Sequence, residues 1–156
     1  MKFLKLDGDS FVFHLGRREK DLLLDVLKMY PLVPASHHRI SASTDEPGTP
    51  GNQTLLEEAL AEHRLENKKA LDTMLQEPNR FQETPSGHRL WLTAAQIEWL
   101  LQILNDVRVG SWLTLGSPDE QQGKRLRLNL QSARYLWAME LCGHFEYALL
   151  SAREPR

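Results

Sequence analysis

The strongest constraint on this chain is a helix start. Thr93-Ala94-Ala95-Gln96 is a capping box, in which the threonine hydroxyl and the glutamine amide each satisfy a free backbone N–H. Behind it Ile97, Leu100, Leu101 and Leu104 recur at helical spacing, and the pattern predicts a helix to about Leu115. Gly116 then supplies the left-handed residue that ends such a helix.

Three further helices follow from the same periodicity. Residues 17–30 carry Leu22, Leu23, Val26, Leu27 and Tyr30, with Pro31 and Pro34 as the stop. Residues 53–77 carry Leu56, Leu60, Leu71 and Met74. Residues 124–152 carry Leu126, Leu130, Ala133, Trp137, Leu141 and Ala148, after a cap-like Ser117-Pro118-Asp119-Glu120. Residues 1–15 read as a β-hairpin around Asp7-Gly8. Alternation places Leu4, Leu6, Phe11, Phe13 and Leu15 on one face, and Phe3, Lys5, Val12 and His14 on the other. Arg89-Leu90-Trp91-Leu92 is a candidate extended segment lying against that hairpin. The expected fold is mainly α: a compact bundle of about four helices with a small N-terminal β-hairpin. Residues 1–156 form a single domain, with a hairpin at 1–15, a flexible loop at 31–52 and a helical body at 53–152.

Composition narrows the class. A chain 41% hydrophobic and 26% charged is that of an ordinary globular protein, not a disordered or fibrous one. The net charge of −2 gives no global field toward nucleic acid or an anionic membrane, so neither is expected as a partner. The single cysteine, Cys142, excludes an internal disulfide and a multi-cysteine metal site. Lys5 and Asp7 interrupt any signal-peptide core, and a cytoplasmic location is expected.

Polar residues on the apolar stripes are the candidate site. At about 100° per residue, Arg108 and Ser111 fall within the stripe of the Thr93 helix, while Asp106 points to solvent. Glu140 and His144 fall within the stripe of the last helix, and His63 and Asn67 within that of the second. A buried arginine needs a carboxylate, and Glu140 is its candidate partner, with His63, Asn67 and His144 completing a network. The same residues could lie solvated at the stripe edge, or line a pocket. In a pocket, Glu140 would serve as general base, His144 as proton carrier and Arg108 as anion clamp. Glu140-x-x-x-His144 with His63 lacks the second carboxylate set of a di-metal bundle, so no metal and no cofactor are expected. Cys142 and His144 project roughly 200° apart and cannot share a ligand.

Two other features are candidates. Lys124, Arg125 and Arg127 would open the last helix with positive charge and suit a bound anion, unless the helix starts earlier, at Pro118. Trp99 lies opposite the main stripe of its helix, either packed under the hairpin or exposed as an interface anchor.

From Leu92 to Leu150 the chain resembles a family of bacterial proteins known as a domain of unknown function, number 2017 of that series. The resemblance rests on Trp99-Leu100-Leu101-Gln102-Ile103-Leu104-Asn105-Asp106-Val107-Arg108, on Leu113-Thr114-Leu115-Gly116, and on a last helix with Tyr135 and Trp137. A strand pair leading into a leucine-rich helix extends it toward the N-terminus. Many actinobacterial members lie near the gene for the adaptor that feeds the Clp protease, so the resemblance implies an accessory role in protein turnover. It supplies no catalytic residues. This chain departs from the actinobacterial pattern in being less acidic, with a shorter link before the last helix and its own loop at 31–52. The functional expectation is a non-enzymatic, cytoplasmic protein-interaction or accessory protein whose partner is another protein, with self-association open. The rival expectation is a small-ligand binder or enzyme built on the Arg108, Glu140, His144 and His63 pocket.

Overall fold

The computed structural model describes residues 1–34, 50–117 and 129–154. Its elements, in chain order, are β1 (Lys2–Asp7), β2 (Ser10–Gly16), α1 (Arg17–Leu27), α2 (Pro50–Gln76), β3 (Phe81–Thr84), β4 (Gly87–Thr93), α3 (Ala94–Thr114) and α4 (Leu130–Ser151). The four helices fall where the periodicity predicts them. The expected bundle with a two-stranded hairpin does not form. The four strands make one antiparallel sheet, ordered β1-β2-β4-β3, and helices pack on it. The extended Arg89–Leu92 segment is part of β4, paired with β2 through Phe13↔Leu90 and Phe11↔Leu92. The strand without a counterpart in the expectation is β3. Its signal is the turn: Thr84-Pro85-Ser86-Gly87 puts proline and glycine at turn positions between two extended runs.

The inner face of the sheet is Phe13, Leu15, Leu90 and Leu92, which join Leu23, Leu27, Ile97, Leu104 and Phe145 in one core. A bulge between Phe3 and Lys5 shifts the register of β1. Phe3 therefore turns inward against Phe11 and Phe13, the reverse of the alternation read from the sequence, while Leu6 keeps the expected pairing with Phe11 but, like Leu4, stays exposed. The turn itself is Gly8-Asp9, since Asp7 pairs with Ser10 and Gly8 takes φ +60°.

The caps of α3 are those the sequence announces. Thr93 accepts from the Gln96 N–H at 3.2 Å, Gln96 accepts from the Thr93 N–H at 3.0 Å, and Gly116 sits at φ +81°. In α4 the buried stripe is Ala138, Cys142, Phe145 and Leu149. That stripe lies about 100° around the helix from the one centred on Trp137. Trp137 and Leu130 are consequently exposed. In α2 only Leu71 and Met74 are fully buried, both near its C-terminal end. Of the loop expected at 31–52, residues 35–49 lie outside the described residues, and 50–52 open α2.

Candidate functional site

Where the chain leaves α1, Leu32 and Val33 run across α3. Asp106 Oδ1 accepts both their N–H groups, at 2.7 and 3.2 Å. From α2, Arg64 donates to the Val33 carbonyl at 2.5 Å and stands 3.6 Å from the Asp106 carboxylate. Both side chains are 13% exposed. Asp106 thus points at the segment after α1, not at solvent, because the buried face of α3 is centred between Ile103 and Leu104 and leaves position 106 on its flank. Gly110, one turn further, provides the room: a Cβ there would stand 2.7 Å from the Leu32 side chain.

This crossing forms the floor of a cleft of about 570 Å³ between α2 and α3. Its polar lining comes from His63 and Asn67 on one side and Gln102 and Asn105 on the other, with Tyr30 at the base. Asn67 is fixed from beneath. Its Oδ1 accepts from Trp99 Nε1–H at 3.1 Å, and its amide nitrogen lies 3.4 Å from the Tyr30 hydroxyl and 3.3 Å from His63 Nε2. Trp99 is therefore packed against the core and hydrogen-bonded, not an exposed anchor. The cleft's Arg64 and Asp106 are committed to each other and to backbone, so what it offers a ligand is the amides of Asn67, Gln102 and Asn105, the His63 imidazole and the Tyr30 phenol.

Of the expected polar network, only His63 and Asn67 meet. Arg108 is exposed and pairs with Glu146, Nε to Oε2 at 3.4 Å, not with Glu140. Glu140 is exposed. His144, also on the outer side of α4, lies 2.9 Å from the Met1 amine and 3.3 Å from Glu19 Oε1. Ser111 is fully buried, and its hydroxyl has no partner among the described residues. The reason is rotational. A wheel phased on Leu126 and Trp137 puts Glu140 and His144 inside, and the packed phase of α4 puts them outside. Lys124, Arg125 and Arg127 lie outside the described residues.

Three titrating groups are displaced. Burial pushes the Glu146 carboxyl up, with Arg108 offsetting part of the shift. Burial also pushes the Cys142 thiol up to about 12, with the Glu146 charge adding to the rise, which leaves it a non-nucleophilic core residue. Glu19 moves the other way. Burial opposes its ionisation, but the Met1 ammonium, the Gly16 N–H and His144 together hold its carboxyl below the ordinary range. Among the described residues, no group of three His, Cys, Asp or Glu stands close enough to hold a metal ion. No described helix is long and apolar enough to cross a membrane.

A second surface lies across the outer sides of α1 and α4. Trp137 is 67% exposed, with Leu22 of α1 also open. Tyr147 is exposed too, but it lies ten residues further along α4 and roughly 80° around it, and Leu150 roughly 140° around, so neither borders this surface. Beside Trp137 is a hollow of about 390 Å³, floored by Val26, Met29, Ala138 and Leu141 and rimmed by Asp25, Lys28 and Arg134. Periodicity alone hides this surface, because it makes Trp137 the middle of a buried stripe. No family model matches the chain, and no curated protein or solved structure matches it.

Proposed function

We propose that this is a non-enzymatic protein-interaction module that binds another protein through the α1–α4 face. The observation that carries the reading is Trp137, a large aromatic left two-thirds in solvent beside an apolar hollow. A large aromatic ring exposed at the edge of an apolar hollow marks a surface suited to a partner, and tryptophan is among the residue types that dominate the energetic centres of protein interfaces. The hollow between two helices, apolar below and charged at the rim, suits a partner's amphipathic helix. A cytoplasmic setting fits the single buried thiol, and the resemblance to the bacterial family of unknown function adds an accessory role in protein turnover. The dispersal of Arg108, Glu140, His144 and His63 to separate places removes the specific pocket on which the enzymatic reading rested.

The test is paired affinity capture from extracts of the source cells with wild type, Trp137→Asp and, as control, Glu58→Lys on the exposed side of α2. A defined partner retained by wild type and the control, and lost with Trp137→Asp, supports the proposal. Equal retention by all three contradicts it. Once a partner is in hand, Trp137→Ala should weaken binding roughly 30-fold, the scale of an interface hot spot.

A further inference from the structure

The outer face of the sheet presents a second, independent surface. The β-ladder register places Lys2, His14, Arg89 and Gln82 in one cross-strand row. The next row holds Lys5, Val12 and Trp91. This row sets Lys2 and Arg89 two strands apart, on either side of His14, whose Nε2 lies 2.9 Å from the Ser86 hydroxyl, with no carboxylate in the row. The chain as a whole has more acids than bases, 21 against 19. Among the described residues in the outer-facing rows the carboxylate is Asp7 at the far end, 3.5 Å from Lys5, and Glu83 stands at the β3 edge. Lys2 and Arg89 are exposed, and neither has an ion pair among the described residues.

Trp91 follows Arg89 on the same face and borders a hollow at the β3 edge lined also by Pro78, Asn79, Phe81, Gln82 and Glu83. The combination is two cations flanking a histidine, on strands about 4.8 Å apart from one to the next, beside an aromatic ring and two amides, with Glu83 at the edge of the hollow. From it we propose that the outer sheet face binds single-stranded nucleic acid, with phosphates along Lys2, His14 and Arg89 and a base beside Trp91. An aromatic platform flanked by cations is what a sequence-tolerant strand binder uses, and Asn79 and Gln82 can hydrogen-bond a base edge. The reading is separate from the protein-binding one, since it uses none of the α1–α4 residues.

The test is titration of the full chain with a fluorescein-labelled oligothymidylate of about a dozen nucleotides, a length within the usual site sizes. Binding at low salt should weaken with a log–log salt slope of about −1.4, the value for two phosphate contacts made by Lys2 and Arg89 on a single strand. Arg89→Ala and Lys2→Ala should each remove about 0.7 from that slope. Trp91→Ala should weaken binding about 5- to 100-fold with the slope unchanged. Should Trp91→Ala disturb the sheet, the two exposed cation variants still decide the matter. Absence of binding at low salt would overturn the proposal. So would binding that neither cation variant weakens, or a preference for anionic vesicles over the oligonucleotide.

Discussion

Asp106 is the residue on which the α2–α3 cleft depends. One carboxylate oxygen takes two consecutive backbone N–H groups, and the other faces Arg64. Removing it leaves those donors unsatisfied in a largely dry place, at about 1–3 kcal/mol. Asp106→Ala should therefore lower the urea midpoint clearly, and Asp106→Asn, which keeps an acceptor, should lower it less. Equal effects would mean that the backbone bonds are not what Asp106 contributes. Two glutamates give opposite pH signatures at the same scale. Glu19 has a lowered folded pKa, so its stabilisation is present at neutral pH and is lost as pH falls through the carboxylate range. Glu146 has a raised folded pKa, so the folded state binds the extra proton and stability falls as pH rises through that range. Urea melts at pH 3 and pH 7 should show Glu19→Gln destabilising only at the higher pH. Glu146→Gln should be stabilising there relative to wild type, with the difference shrinking in acid.

At the scale of elements, the sequence was most legible where local chemistry decides. The Thr93–Gln96 cap, the Gly116 stop and the extents of the helices follow from hydrogen bonds within a few residues of one another. The pairing of Arg89–Leu92 with the hairpin was legible because Phe11, Phe13, Leu90 and Leu92 share one alternating pattern. What could not be read is set by tertiary packing. Leu130, Trp137 and Leu141 offer a second stripe beside Ala138, Cys142, Phe145 and Leu149, with Ala148 buried at the border of the two, and only the sheet and α3 choose between them. That choice carries Glu140 and His144 outward with Trp137, and Asp106 inward with the segment after α1. The strand β3, four residues with two polar side chains exposed, has too weak an alternation to read without its turn. The packed phase makes a stability contrast. Leu90→Ala, in a strand that a bundle would not need, should cost about 2–5 kcal/mol. Trp137→Ala, at a site that the other phase would make central, should stay within about 0.5 kcal/mol. Chemical denaturation of the two variants checks both, and a large loss for Trp137→Ala would contradict the phase of α4.

Taken as a whole, the molecule buries one face of a four-stranded sheet under helices and leaves two chemically different surfaces open. The helical side presents Trp137 beside an apolar hollow; the sheet side presents Lys2, His14, Arg89 and Trp91. Between them the Arg64–Asp106 clamp joins α2 to α3 over the Tyr30–Val33 segment. The one thiol is held in its unreactive form by burial. The central claim is that the α1–α4 face is where a protein partner sits. Its most direct measurement is site-specific photo-crosslinking in the source cells, with the photoreactive residue at exposed position 134 on the rim of the hollow and, in parallel, at exposed position 82 on the sheet. The account predicts a discrete protein adduct from position 134 that disappears when Trp137→Asp is added, and none of that size from position 82. The same adduct from both positions, or one from position 134 that survives Trp137→Asp, would contradict it.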